Sequence, residues 1–354
     1  MVNNTRKDVR MFLKNKKILI TGGTGSLAKH LIVHLYDKQG VRINDIVVLS
    51  RDEQKQHVMQ QDWLFKQCKY IIHDIRDYDG LEQIVKGHDI VINCAAIKHV
   101  SKAQEYVMEA IKTNIIGTYN VITAVRNKAE HAVFVHIGTD KAVEPINYYG
   151  ATKFLAEGIV KNFAKRLAYD TNLYFSVRYG NVVNSAGSVI PKFYALVRKS
   201  SPVYITHPKM TRFLMTFDDA VDVIMSACRA HPIVEDDGGV FVPLGLPSCY
   251  ITDLVHIMIK QWDSKSEIIE GTVGSGEKID EILLNQEENF ISNMKVVGKT
   301  RSGYDIAYVQ CCDQKRAHPN SPYCSNGPNL LTYMQLEQYL QENIKRYIDD
   351  SQNQ

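Results

Sequence analysis

Short apolar runs recur along the first half of the chain, separated by stretches in which apolar residues fall at helical spacing. The runs lie at 17–21, 46–49, 70–72, 89–93, 131–137 and 173–177. A run such as Ile18-Leu19-Ile20 is apolar on both faces, the pattern of a strand inside a parallel sheet. Residues 29–36, 104–126 and 148–168 carry helical periodicity between the runs. Strands alternating with helices predict an α/β fold on a doubly wound parallel sheet.

Past residue 180 the rhythm breaks. Helical patterns at 217–229 and 251–262, short strands at 203–206 and 240–243, and loops at 210–213 and 276–278 follow at irregular spacing, with a polar helix from about 332. This predicts a smaller C-terminal substrate lobe interleaved with the main sheet. The boundaries so drawn put 1–180 in the main domain, with returns at about 214–245. Residues 181–213 and 246–345 then form the lobe, and 346–354 a tail.

The turn after the first strand changes the picture most. Gly22-Gly-Thr24-Gly25-Ser26-Leu27-Ala28 sits between a strand and a helix, the context that makes a glycine pattern a Rossmann dinucleotide fingerprint. Gly22 permits the tight turn, Gly25 lets a pyrophosphate approach the helix N-terminus, and Ala28 stands where a small residue is needed for packing. The second strand ends at Ser50-Arg51, where an NAD site places an acid; a hydroxyl and a guanidinium suit a 2′-phosphate and favour NADP over NAD, although Asp52 and Glu53 follow at once. Asp74-Ile75 closes the third strand near the adenine. Ala95 and Ala96 leave room for the cofactor after the fourth, and Lys98 and His99 follow at the carboxyl edge of the sheet.

The fifth strand runs into the densest chemistry of the chain, from His136 to Lys153. Thr139, Asp140 and Lys141 stand side by side, and Tyr149 precedes Lys153 by four residues, one turn along a shared helix face. A cation so placed is expected to lower the phenol's pKa and ready it to accept a proton from a substrate hydroxyl.

Composition narrows the class without adding to it. The chain has 354 residues, is 45% hydrophobic and carries a net charge of +3, so nothing pulls it toward nucleic acid or a membrane surface. The basic first seventeen residues lack the long apolar run of a signal or anchor, and no segment approaches the ~18 apolar residues that span a bilayer. A soluble, cytoplasmic protein is expected. Cys68, Cys94, Cys228 and Cys249 read as buried apolar residues. Cys311, Cys312, His318 and Cys324 lack a paired knuckle, so no metal site is expected.

Gly-x-x-Gly-x-x-Ala with Tyr149-x-x-x-Lys153 resembles the extended short-chain dehydrogenase/reductase superfamily. Ser50-Arg-Asp-Glu, Asp74-Ile-Arg-Asp, Ala95-Ala-Ile-Lys-His-Val, Thr113-Asn-Ile-Ile-Gly, Thr139-Asp-Lys-Ala, Arg178-Tyr-Gly-Asn-Val, Gly187-Ser-Val-Ile-Pro, Met210-Thr-Arg-Phe and Gly276-Glu-Lys narrow the resemblance. Together they are similar to the inverting UDP-N-acetylglucosamine 4,6-dehydratases, which are also 5-epimerases, over about residues 14–340. Asp140-Lys141 is the discriminating pair: the retaining dTDP-glucose type carries Asp-Glu, and simple 4-epimerases have no such pair.

That resemblance implies NADP and a UDP-sugar as ligands and a homo-oligomer as the assembly. It implies Tyr149, with Lys153, as the base at the sugar's 4-hydroxyl, Thr139 as its hydrogen-bond partner, Lys141 as the base at carbon 5 and Asp140 as the acid at the leaving 6-hydroxyl. The Lys141 pKa is expected to fall and that of Asp140 to rise. Arg212 is expected on the diphosphate, with Asn181, Ser188 and Val189 along the nucleotide and Lys98 and Glu277 at the substrate. Asn93-Cys94 and Ser101 depart from the family's usual residues, and 309–326 is atypical. A retaining dehydratase, a 4-epimerase and a catalytically idle NADP-binding regulator remain as alternatives.

Overall fold

The computed structural model describes residues 13–350 apart from 166–169, 186, 231–237, 275, 289–293 and 311–320, with side chains as far as 343. Cys311, Cys312 and His318 therefore lie outside the described residues.

The first six apolar runs are six strands: β1 (Ile18–Thr21), β2 (Ile46–Ser50), β3 (Lys69–Ile72), β4 (Ile90–Asn93), β5 (Val133–Ile137) and β6 (Leu173–Val177). The later strands are β7 (Asn181–Val182), β8 (Val203–Ile205), β9 (Thr211–Met215), β10 (Val240–Leu244), β11 (Ser248–Tyr250), β12 (Ile268–Glu270), β13 (Ile282–Leu284), β14 (Met294–Lys299), β15 (Asp305–Val309) and β16 (Tyr323–Cys324). Among the described residues the main sheet has nine strands in the order β14-β15-β10-β6-β5-β4-β1-β2-β3. It is parallel from β3 to β10, and β15 and β14 close the other edge antiparallel. The chain builds outward from β1 through β2 to β3, then crosses to β4 on the other side of β1. That reversal opens a crevice beyond the carboxyl ends of β1 and β4, where such sheets bind ligands.

Eleven α-helices are described: α1 (Ser26–Gln39), α2 (Glu53–Met59), α3 (Leu81–Val85), α4 (Val100–Glu105), α5 (Val107–Ala110), α6 (Gly117–Lys128), α7 (Tyr148–Ala164), α8 (Val189–Arg198), α9 (Phe217–Cys228), α10 (Ile251–Gln261) and α11 (Tyr333–Asp350). One apolar layer packs α1 and α9 on one face of the sheet, and a second packs α3, α6 and α7 on the other. Ile18, Leu19 and Ile20 are fully buried between them, and each such side chain contributes about 2 kcal/mol. A separate apolar cluster gathers Phe193, Val203, Leu214, Leu254, Met258 and Leu336, joining α8, α10 and α11 over the short strands.

Three sequence expectations change. Residues 210–213, read as a loop, lead into β9, which pairs with β7 and β11. Residues 294–309, assigned to the smaller lobe, supply β14 and β15 of the main sheet. The helical stretch 104–126 is interrupted: the backbone leaves helical angles at Tyr106 (φ −120°, ψ 61°), then passes through a π-helix at Ile111–Ile116 before α6. Both faces of that stretch are apolar, so periodicity alone conceals the break. Tyr106, Met108, Ile116 and Tyr119 here, and Phe154 and Leu155 on α7, stay exposed. Among the described residues no helix is long and apolar enough to cross a membrane.

Candidate active site at the carboxyl edge of the sheet

The glycine turn is fixed by sterics. Gly22 has φ +62°, and a Cβ there would lie 2.7 Å from the Cα of Ala95, so β1 and β4 approach as closely as their backbones allow. Gly25 is the N-cap of α1 and supplies no side-chain cap, leaving the first amides of the helix directed at whatever fills the crevice. Ala28 is buried against the sheet. A pyrophosphate fits this turn: uncapped amides, a positive dipole end, and no side chain in the way.

At the end of β2, Thr24 and Ser50 hydroxyls are 3.3 Å apart and Arg51 reaches Asp74 at 3.3 Å while half exposed. Asp52 points elsewhere: its carboxylate caps α2 by accepting from the Lys55 amide at 2.9 Å and pairs with the Lys55 ammonium. Burial works against ionisation of Asp74, but Arg76 prevails through its hydrogen bonds and holds the carboxyl at about 2. Ile75 is buried, and Asn120 donates to the carbonyls of Ile75 and Arg76, anchoring the loop.

Beyond β5 the chain forms a single 3₁₀ turn, Asp140–Ala142, before α7. Thr139 begins it, accepting from the Lys141 amide and donating to Asp140 Oδ1 at 2.9 Å. Gly150 lets α7 lie against this turn, because a Cβ there would collide with the Lys141 carbonyl oxygen. Thr139, Asp140, Lys141 and Tyr149 thus share one buried corner.

Lys141 is the hub. Its Nζ lies 3.1 Å from Asp140 Oδ1, 3.1 Å from Glu281 Oε1 and 3.4 Å from Asn181 Oδ1. Burial disfavours its charge, but the two carboxylates outweigh that and raise its pKa above the ordinary lysine value. The expected fall does not occur, because the sequence-local reading lacked Glu281. Asp140 behaves as expected: burial first, with the Glu281 charge adding, raises its carboxyl against the pull of Lys141. Its Oδ2 and the Oε2 of Glu281 are buried without a hydrogen-bond partner among the described residues.

The Tyr149–Lys153 expectation is also corrected. Burial pushes the phenol up to about 12, and the cation that most opposes this is Lys141, helped by a hydrogen bond with Thr139. Lys153 turns inward instead. Its Nζ lies 2.9 Å from His136 Nε2 and 2.5 Å from the Ile137 carbonyl, and burial lowers its pKa to about 8 although Glu157 opposes the shift.

The remaining substrate-side residues divide. Asn181 reaches Lys141, and the Ser188 hydroxyl is buried without a described partner at the N-terminus of α8, beside Val189. Arg212 spends its guanidinium on the carbonyls of Thr211, Lys278 and Ile279, with Glu281 3.6 Å away. Glu277 and Lys98 are exposed. The loop from Gly276 to Glu281 is locked onto the 143–147 turn by Asn147 donating to Gly276 O at 2.7 Å and by Lys278 donating to Val143 O. It delivers Glu281, not Glu277, to Lys141.

Sequence reading missed Glu281, His136 and Asn114 as site residues. Asn114, inside the π-helix, bonds both backbone groups of Ile97 and donates to the Thr152 hydroxyl at 2.9 Å, fixing the strand end that carries Ala95, Ala96 and Lys98 to the helix that carries Tyr149. A π-turn inside a helix often marks such a site.

Comparison with known proteins shows the family. The model of a family described as "Polysaccharide biosynthesis protein" matches residues 18–297. An inverting UDP-N-acetylglucosamine 4,6-dehydratase of Campylobacter jejuni is 38% identical over 280 residues, covering 78% of this chain and 80% of that protein. A UDP-glucose 4-epimerase of Rickettsia bellii is 36% identical over 345 residues, covering 94% and 98%. The X-ray structure of Pen from Bacillus thuringiensis superposes with a TM-score of 0.82 at 30% identity, over 94% of this chain and 98% of that one. With its Rossmann-type sheet, glycine turn and Tyr149/Lys153 helix, the chain belongs to the polysaccharide biosynthesis protein family, within the extended short-chain dehydrogenase/reductase superfamily.

Proposed function

We propose that the protein is an NADP-dependent, inverting UDP-N-acetylglucosamine 4,6-dehydratase, a lyase that also epimerises carbon 5. The observation that carries this reading is the Asp140–Lys141 pair, an acid with a raised pKa hydrogen-bonded at 3.1 Å to an amine. A 4-epimerase needs only the hydride step and has no use for such a pair. The similarity to dehydratases and 4-epimerases alike supports a UDP-sugar as substrate.

Gly22, Thr24, Gly25, Ser26 and Leu27 would hold the dinucleotide phosphates, Ser50 and Arg51 the 2′-phosphate, Asp74 and Ile75 the adenine side, and Ala95, Ala96 and Lys98 the nicotinamide side. The commitment of Asp52 to the α2 cap supports NADP, since it leaves Arg51 as the charge at the ribose. A nicotinamide held there would supply the hydride acceptor for carbon 4 and the hydride donor for carbon 6.

The chain's own groups move the protons. Tyr149 accepts the proton of the 4-hydroxyl as its phenolate, having first lost its own proton to solvent, and the facing Lys141 cation is the charge that favours that form. Shifting one proton along the Lys141–Asp140 hydrogen bond yields a neutral amine and a carboxylic acid together. Lys141 then removes the carbon 5 proton, acidified by the 4-ketone, and Asp140 protonates the leaving 6-hydroxyl. Return of a proton to the opposite face of carbon 5 inverts it. Ser188, Val189 and Asn181 would line the nucleotide in a lobe built from the 181–213, 246–288 and 321–345 segments. Arg212 would reach the diphosphate by exchanging loop carbonyls for phosphate oxygens. The exposed apolar face of Tyr106, Met108, Tyr119, Phe154 and Leu155 supports a homo-oligomer paired through these helices.

The test is incubation of the purified protein with UDP-N-acetylglucosamine and mass analysis of the nucleotide sugar. A product lighter by one water is expected; a purely 4-epimerised sugar of unchanged mass overturns the reading.

A further inference from the structure

Four side chains form a buried line across three central strands into α7, and none of them is assigned a step in the chemistry above. Thr21 donates to Asn93 Oδ1 at 2.6 Å. Asn93 Nδ2 reaches Thr118 Oγ1 at 3.1 Å and His136 Nδ1 at 3.3 Å, and His136 Nε2 meets Lys153 Nζ at 2.9 Å. None of Thr21, Asn93, Thr118, His136 and Lys153 is more than 2% exposed.

We infer that His136 is a positioning residue for Lys153: a neutral imidazole locked in the core that, with the Asn93 amide, reverses the direction of its hydrogen bonds as Lys153 gains or loses its proton.

A neutral imidazole carries one N–H, so its two contacts cannot be set independently. When Lys153 is an ammonium it donates to Nε2 and to Ile137 O; Nδ1 then carries the hydrogen, and the Asn93 amide must turn its oxygen to it. When Lys153 is an amine, Nε2–H donates to Nζ, Nζ donates to Ile137 O, and Nδ1 accepts from Asn93 Nδ2. Loss of one proton to solvent therefore moves the imidazole hydrogen from Nδ1 to Nε2 and turns the amide. The hydroxyls of Thr118 and of Thr21, which also accepts from the Ala95 amide at 3.2 Å, can each donate or accept and so can follow the amide as it turns.

The charges around the pair support this. Lys153 faces Glu157 from its own helix, Cys94 from the end of β4 and His136 from β5; His136 faces Lys153 and the uncharged Asn93. Burial and the Lys153 charge hold His136 well below the ordinary histidine value, so the imidazole itself stays neutral while its neighbour titrates. The consequence is that Lys153 keeps the same position in both charge states, held by an acceptor or a donor as required.

The experiment needs no turnover, so its outcome is independent of the reaction assignment. The full chain is labelled with ¹⁵N-histidine and titrated from about pH 6 to about pH 10, reading long-range proton–nitrogen correlations that separate the two tautomers from the cation. The His136 signal is identified by its absence in His136→Gln, or as the buried signal altered in Lys153→Arg should the former not accumulate. A signal that stays neutral and exchanges its Nδ1–H form for its Nε2–H form, and that is fixed as Nδ1–H at every pH in Lys153→Arg, is expected. A protonated imidazole, one tautomer throughout in the parent protein, or continued switching in Lys153→Arg overturns the inference.

Discussion

The Lys141 ammonium is held 3.1 Å from the carboxylate of Glu281, a residue from a loop far along the chain, while Asp140 occupies its other side. This ion pair decides how the proposed base behaves. With both carboxylates ionised, Lys141 stays protonated well past neutrality, and the reaction depends on drawing a proton from it toward Asp140.

Replacing Glu281 with Gln removes one of the charges that raise the Lys141 pKa. The acidic limb of the rate of carbon 5 proton exchange, which reports the amine form, should then move to lower pH. Exchange followed by NMR across a pH series checks this; an unmoved limb, or one moved to higher pH, contradicts a controlling role for Glu281.

Lys153 couples stability to pH. Its folded pKa of about 8 lies below its ordinary 10.5, so the native state binds fewer protons than the unfolded state between those values. Stability should rise with pH across that window, by up to about 3 kcal/mol from this residue alone. Denaturant unfolding of the parent and Lys153→Met over that range provides the measurement. The parent's curve should climb relative to the variant's, and parallel curves would remove the buried cation from the account.

The proposed preference for NADP rests on Arg51, which pairs with Asp74 at 3.3 Å just beyond the end of β2. Arg51→Ala should weaken NADP binding about tenfold or more while leaving NAD nearly unchanged, the loss expected for one exposed guanidinium–phosphate contact. Fluorescence titration with each dinucleotide separates the two; equal losses would make Arg51 a structural residue of the Asp74 loop.

Phe154 and Leu155 are each about half exposed on α7 and lie on the proposed pairing face. A Phe154→Glu, Leu155→Lys double variant should sediment as a smaller species than the parent protein. The parent sedimenting as a monomer would contradict the assembly.

Much of the fold was legible because it is local. The apolar runs of β1 to β6 and the Gly22–Ala28 turn each lie within a few neighbouring residues, and the alternation of strands with helices implies a parallel, doubly wound sheet. Tyr149/Lys153 and Asp140/Lys141 were legible for the same reason. What was not legible is what a distant segment brings. Glu281 arrives from a loop pinned by Asn147 and Lys278, and it reverses the expected shift of Lys141. His136 opens the stretch that the sequence marks as chemically dense but carries no role there, yet it takes the contact with Lys153 that the four-residue spacing assigns to Tyr149. The π-turn around Asn114 was concealed by an unbroken helical period, and β14 and β15 by their distance in sequence from the sheet they complete.

The most direct test of the central claim is the reaction in heavy water with UDP-N-acetylglucosamine, comparing the parent with Lys141→Ala. The parent should release one water per sugar and give an inverted 4-keto product with deuterium at carbon 5. Lys141→Ala should bind NADP as the parent does, yet lose about a thousandfold in turnover and exchange no carbon 5 proton. A parent product that keeps all its water, or a Lys141→Ala variant that dehydrates at the parent's rate, contradicts the account.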